Sequence, residues 1–312
     1  MPTQQKLIFL AGPTGVGKTE LSLDLAIRFN AEIISMDSMQ IYRGMDIGTA
    51  KASREEQKTA AHHLIDICEV DSRFTVQDYQ QLAYEKIEEI RSRGKQVLFV
   101  GGTGLYLDAV SRGYRFAGFD RDTVLRQELS DRYDAGEADR LYLELSQLDT
   151  VTASILTPAD KKKIIRALEV YHLTGIPLSR HKEEEDLRAP KDNLIIVLYR
   201  PREDLYRRIN QRVLMMLEEG LIEENIRLSE RKLPPSNQAI QAIGYREVQD
   251  YLRGLMTREE MVRLLQQNSR NYAKRQLTWF RKNPAAHWID VNNEHSLRQI
   301  EDLITDFLKG NE

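Results

Sequence analysis

The sequence predicts an α/β protein, with a parallel, doubly wound sheet as its core and an all-helical insertion interrupting that core. Three observations carry this reading. Apolar runs alternate with amphipathic helical segments through the first third of the chain. Glycine-rich turns follow two of those runs, at strand ends where open α/β sheets bind their ligands. Between Phe119 and Asp192 charged helical segments dominate and no strand pattern occurs. A length of 312 residues permits one large domain or two smaller units. The change of pattern divides them into a core from residues 1–118 and 193–312 and a helical insertion at 119–192.

The elements follow in order. KLIFLA is a buried strand, and ELSLDLAIRF after the first glycine loop has helical spacing. EIISM is the second strand. Helical periodicity returns from Val76 to Arg91, Gly94 stops it, and QVLFV makes a third strand ending at Gly101. RDTVLRQELSDRYDAGEADRLYLEL typifies the insertion, which closes with the polar HKEEEDLRAPKD. NLIIVLYR restores strand character, long helices are expected over 203 to about 230 and 258 to about 282, and HWIDV adds a last strand.

Composition narrows the function classes. Hydrophobic residues at 41% and charged residues at 30% describe a globular protein rather than a disordered one. No apolar run is long enough to span a bilayer and no cationic, apolar leader precedes the first motif, so a cytoplasmic protein without membrane association is expected. A single cysteine, Cys68, excludes an internal disulfide and a Cys-based zinc site. His62 and His63 would point in opposite directions on a strand, which favours structural roles over metal ligation. With no long heptad seam, a monomer is expected. The net charge of −3 does not announce a nucleic-acid binder. It hides an acid-free window, however, in which Arg263, Arg270, Lys274, Arg275, Arg281 and Lys282 make a local basic surface.

Three motifs carry chemistry. Gly12, Pro13, Thr14, Gly15, Val16, Gly17, Lys18 and Thr19 read GPTGVGKT, a G-x-x-x-x-G-K-[ST] loop between a strand and a helix. The glycines let the backbone wrap anionic oxygens, Lys18 supplies a point charge, and Thr19 can ligate Mg²⁺. Such a loop specifies a polyphosphate, and its local chemistry admits ATP as well as other diphosphates. MDSMQIYRGMDIGTAK follows the second strand. Its Asp37 leaves the strand end beside the phosphate loop, placed to act as a general base or an indirect Mg²⁺ ligand. GGTGLYL follows the third strand at the same edge, and Thr103 offers a hydroxyl there.

Together GPTGVGKT, DSMQIYRGMDIGTAK, HHLID, GGTGLYL, RALEVYHLTGIPLS, IGYRE and KRQLTWFRKN, in that order, resemble the tRNA dimethylallyltransferase family. The resemblance implies a P-loop kinase-like core with a helical insertion. It implies transfer of a dimethylallyl group from dimethylallyl diphosphate to N6 of the adenosine 3′ of the anticodon (position 37) in tRNA, with the phosphate loop holding the donor's diphosphate. By the same resemblance Asp37 accepts the N6 proton, Thr103 contacts the target nucleotide, Arg212 lies against the diphosphate, and Thr19 holds Mg²⁺. Contact with the tRNA anticodon stem-loop is implied for Asp37, Ser38, Met39, Gln40 and Thr103, and for Arg126 and the run Lys161, Lys162, Lys163, Ile164, Ile165 and Arg166. It is implied too for Gly244, Tyr245 and Arg246, and the acid-free window gains RNA as its partner. Departures from the family pattern include LTPAD, where Thr157 and Ala159 replace a common His and Asn, and Lys163 in place of Arg. A small-molecule kinase using the loop with ATP, and a noncatalytic RNA-binding protein, are the alternative readings. Asp37 beside GGTG separates the last from an enzyme, because a pure binder needs no base at that strand end.

Overall fold

In the computed structural model β1 (Leu7–Ala11), β2 (Ala31–Met36), β3 (His62–His63), β4 (Gln96–Gly101), β5 (Asn193–Tyr199) and β6 (Ala286–Asp290) form a parallel sheet ordered β3-β2-β4-β1-β5-β6. The structure describes residues 6–114, 123–181, 192–234 and 236–310. The chain folds as two compact units, one of Met1–Ser111 with Lys191–Glu312 and the other of Arg112–Pro190. The expected boundary between residues 118 and 119 lies outside the described residues.

β1 sits centrally because its side chains are apolar on both faces, as a doubly covered parallel strand requires. Leu7, Phe9 and Ala11 join a core with Ile34, Met36 and Phe99 beneath α3 (Val76–Ser92) and α4 (Gly104–Ser111). Ile8 and Leu10 face the opposite way, into a core with Ile33, Leu98 and Ile196. That second core is covered by α1 (Lys18–Arg28), by α9 (Arg202–Glu218) and α12 (Arg258–Phe280) through Ile209 and Ala273, and by α13 (Ser296–Lys309). α2 (Arg54–Thr59), α10 (Leu221–Ser229) and α11 (Tyr245–Leu252) complete this unit. The other unit holds α5 (Thr123–Arg132), a π-helical turn, α6 (Ala138–Leu148), α7 (Thr150–Ser154) and α8 (Lys161–Thr174), packed around Leu129, Leu141, Leu145, Ile164 and Leu168.

Two details differ from the expectation. The helical run after β5 breaks at Gly220, which adopts φ 102 and separates α9 from α10. β3 is absent from the strands expected from apolar runs, since two residues are too few to show a period, although His62 and His63 are weighed above as residues of a strand. It matters nonetheless, because His63 Nε2 lies 2.6 Å from the buried Glu32 carboxylate of β2. Arg93 and Lys95 also reach Glu32, at 2.6 and 3.0 Å. Burial opposes ionisation of Glu32, but these hydrogen bonds outweigh it and hold the carboxyl at about 2.

A carboxyl held at about 2 against an ordinary 4.5 contributes stability above pH 4.5 and loses it progressively as pH falls towards 2. Glu32→Gln is therefore expected to cost about 1–3 kcal/mol near neutral pH. Urea unfolding should show the gap to wild type narrowing at about pH 3, and an equal gap at both pH values would contradict the network's role.

Candidate active site

The carboxyl ends of β1, β2 and β4 open into a cavity of about 870 Å³ that lies within the sheet-bearing unit. Each of those strands delivers one motif. After β1, Gly15 and Gly17 take φ of 78 and 108, which lets the backbone curl ahead of α1. α1 begins with no side-chain cap, so its first-turn N–H groups are left for an anion. Thr19, on that first turn, is exposed and lines the cavity.

Lys18 folds back over its own loop, donating to the carbonyls of Gly12 and Pro13 at 2.9 Å each. Burial, and after it the charge of Arg212, push its ammonium down to about 7, with Asp37 opposing. Arg212 is lowered as well, by burial, and Asp37 again opposes. Arg212 and Arg208, one turn apart on α9, both line the cavity, and Arg208 Nε donates to Gly15 O at 3.1 Å. Arg200, at the end of β5, donates from Nε to Val16 O at 2.9 Å. The loop is thus framed by basic side chains that grip its carbonyls.

Asp37 and Thr103 meet because β2 and β4 are adjacent and in register, with Met36 opposite Gly101. A Cβ at Gly101 would collide with the Met36 carbonyl, so only glycine allows this approach. Thr103 N donates to Met36 O at 3.0 Å, and Thr103 Oγ1 accepts from Ser38 N at 3.1 Å. Asp37 Oδ1 accepts from Met39 N at 2.9 Å, an Asx turn that keeps the carboxylate at the cavity wall. Tyr272 of α12 lines the cavity beside Thr103, and burial, followed by the charge of Asp37, raises its phenol.

The expected acceptor-side residues divide into cavity walls and supports. Ser38, Met39 and Gly244 line the cavity. Gln40 also borders it, but its amide is committed internally: Oε1 accepts from Ser35 Oγ at 2.9 Å, and Nε2 donates to Thr49 O and Ala50 O at 3.3 Å. Tyr245 is fully buried and donates to Glu224 Oε1 at 2.6 Å. Glu224 in turn accepts from the N–H groups of Asp46, Ile47 and Gly48 at 2.9 to 3.1 Å. Arg246 pairs with Glu247 at 3.1 Å.

The helical unit holds the remaining expected contacts. Lys162 and Lys163 are exposed at the start of α8, while Ile164 and Ile165 are buried in that unit's core. Lys161 pairs with Asp134 at 2.6 Å and Lys163 with Asp160 at 2.6 Å. Thr157 of the divergent LTPAD donates from Oγ1 to Asp160 at 3.0 Å, a local turn bond. Arg166 and Arg126 approach the buried Glu169 at 2.9 and 3.7 Å.

Sequence reasoning missed Arg200, Arg208, Tyr272, Gln276 and Glu224. Only the KRQLTWFR segment offered a signal, and it marked Gln276 as part of a motif without a role. On α12, Arg275 stacks over Tyr272 and borders the cavity, and Arg270 Nη1 donates to Asn210 Oδ1 at 2.6 Å.

A parallel sheet with a glycine-framed anion loop at one strand end and a carboxylate at the next defines a phosphate-loop enzyme of the group-transfer kind. Residues 40–283 match the model of the family described as IPP transferase. The chain is 45% identical over 289 residues to a tRNA dimethylallyltransferase of Bacillus subtilis, covering 93% of this chain and 92% of the relative. It is also 45% identical over 309 residues to one of Shouchella clausii, covering 99% and 98%. Among solved structures, the full-length tRNA isopentenylpyrophosphate transferase of Bacillus halodurans superposes with a TM-score of 0.74 at 42% identity, over 98% of this chain and 97% of that one. A eukaryotic dimethylallyltransferase acting on tRNA gives 0.83 at 28% identity, over 99% and 80%. The chain belongs to the IPP transferase family. No helix among the described residues is long and apolar enough to cross a membrane.

Two expectations follow for the loop. Lys18→Met should weaken inorganic diphosphate binding by about 10- to 100-fold in calorimetric titration, the loss of one charge-assisted contact, and unchanged affinity would refute a phosphate role for Lys18. Gly101→Ala should cost about 1–3 kcal/mol in urea unfolding, because the atom displaced is backbone rather than a movable side chain.

Proposed function

We propose that this chain transfers a dimethylallyl group from dimethylallyl diphosphate to N6 of the adenosine 3′ of the anticodon in tRNA, releasing diphosphate. One observation carries the reading: a single cavity joins a phosphate loop bearing Lys18 to Asp37 at the neighbouring strand end. A prenyl donor and a tRNA acceptor are supported by relatives of nearly full coverage that are named tRNA dimethylallyltransferases.

Adenine N6 is a poor nucleophile because its lone pair is delocalised into the ring, so proton removal and leaving-group departure both need help. Asp37 takes the N6 proton as the N6–C bond forms. The allylic C–O bond breaks, and its electron pair passes to the diphosphate oxygen. Lys18, Arg212 and the first-turn N–H groups of α1 meet that growing charge, and bringing it close favours the ammonium form of Lys18. Thr103 holds the turn that carries Asp37 by accepting from Ser38 N–H, and contact with the flipped nucleotide is its proposed further role.

Mg²⁺ fits one residue in particular. The Thr19 hydroxyl stands exposed at the cavity on the first turn of α1, and the described residues contain no cluster of three or more His, Cys, Asp or Glu. Thr19 would hold the ion together with phosphate oxygens, and bound Mg²⁺ would neutralise charge on the leaving diphosphate. On the acceptor side, Ser38, Met39 and Gly244 are the cavity residues for the base. Lys161, Lys162, Lys163, Arg126 and Arg166 of the helical unit are the proposed phosphate contacts, with Lys162 exposed for that purpose.

Mass spectrometry of a tRNA anticodon arm incubated with enzyme, Mg²⁺ and either dimethylallyl diphosphate or ATP tests the activity. A gain of one prenyl group is expected with the first and no modification with the second. Asp37→Ala should leave tRNA affinity within about three-fold while transfer falls by about 10²- to 10⁴-fold. Lost tRNA binding with normal residual turnover would contradict the base assignment. Thr19→Ala should weaken Mg²⁺-dependent diphosphate binding, and equal affinity with and without Mg²⁺ in the wild type would refute the ion's role.

A further inference from the structure

The two substrate-facing loops of the cavity meet on one side chain. Gln276 Oε1 accepts from Thr14 N–H at 2.9 Å, and Gln276 Nε2 donates to Gly102 O at 2.9 Å. The first contact lies inside the phosphate loop. The second lies one residue before Thr103, on the turn packed against Asp37. The partners fix the orientation of the amide, since a backbone N–H only donates and a carbonyl only accepts. Gln276 is 5% exposed, and a Cβ at Gly102 would run into its Nε2, so the amide has one seat. Tyr272, one turn earlier on α12, lines the same cavity and lies beside Thr103 and Gln276.

An amide of this length carries an acceptor and a donor on one rigid plane. It therefore sets the distance between the loops it joins. The Thr14 N–H is already satisfied by it and is not among the groups left for phosphate. Gln276 borders the cavity, yet both polar atoms of its amide are engaged by the two loops, and it is through them that it acts.

We propose that Gln276 is a positioning residue that fixes the spacing between the diphosphate loop and the Thr103 turn, so that its loss lowers turnover while each substrate still binds. The inference rests on the prenyl-transfer reading above. Attack of N6 on the allylic carbon depends on both loops at once, and a displacement of about 1 Å between reacting groups costs on the order of 10²-fold in rate.

The test uses the full chain with Gln276→Met and Gln276→Glu. Inorganic diphosphate and tRNA affinities are measured separately by titration, and kcat by prenyl transfer at saturating substrates. For Gln276→Met the expected result is both affinities within about three-fold of wild type and kcat lower by about 10- to 100-fold. Gln276→Glu keeps the acceptor for Thr14 N–H but can donate to Gly102 O only when protonated. Its kcat relative to wild type should therefore rise at least about five-fold as pH falls from about 8 to about 6. A packing defect gives no such pH signature. A kcat for Gln276→Met within two-fold of wild type overturns the proposal, as does a loss explained by weaker binding of either substrate. A flat ratio for Gln276→Glu also overturns it, and that ratio alone decides if Gln276→Met does not fold. Absence of transfer by the wild-type chain is a different result, which removes the activity on which the inference rests.

Discussion

The close approach of Gly101 to the Met36 carbonyl is the constraint on which the site depends. It lets β2 and β4 run side by side to their last residue, so that Asp37 and Thr103 leave the sheet as neighbours. Parallel strands place all their carboxyl ends on one edge, and β1 adds the phosphate loop to the same edge. A side chain at position 101 would part the strands where the chemistry needs them together. The apolar cores on the two faces matter to function mainly because they hold this edge rigid.

Polar groups around the cavity serve mostly to hold one another. Lys18 is bound to its own loop, Gln40 to the carbonyls of Thr49 and Ala50, and Tyr245 to Glu224. Arg200 and Arg208 grip the loop from outside. The buried ones among these bonds satisfy donors or acceptors that would cost about 1–3 kcal/mol if left unpaired. The cavity is consequently preorganised, with loop positions fixed by hydrogen bonds rather than by contact with a ligand.

Much of the fold was legible because its signals are local. KLIFLA, QVLFV and NLIIVLYR are apolar runs of strand length, and GPTGVGKT declares its own conformation through its glycines. β3 shows no apolar period in its two residues, and the bond from His63 to Glu32 spans thirty-one positions, so only the histidine pair hinted at a strand there. The same limit applies to the site. Lys18, Asp37 and Thr103 follow strands directly, so motif and place coincide. Gln276 reaches Thr14 across a separation of 262 residues, and Glu224 reaches Asp46 across 178, distances over which sequence periodicity says nothing. Ile164 and Ile165 show the converse, since a segment assigned to RNA contact as a whole alternates between surface lysines and core side chains.

Glu224 holds the segment from Asp46 to Gly48 through main-chain N–H groups alone. That grip is indifferent to which side chains the first two residues carry, whereas Gly48 is confined by the Tyr245 ring. The side chains of those two are committed elsewhere, Asp46 to the buried ammonium of Lys51 at 2.6 Å and Ile47 to the apolar cluster around Val213 and Leu221, so the segment is held by main chain and side chains together. Only Gly48 of the three lines the cavity, and its place there is thus set by Glu224 and by chain neighbours that lie behind the wall rather than in it.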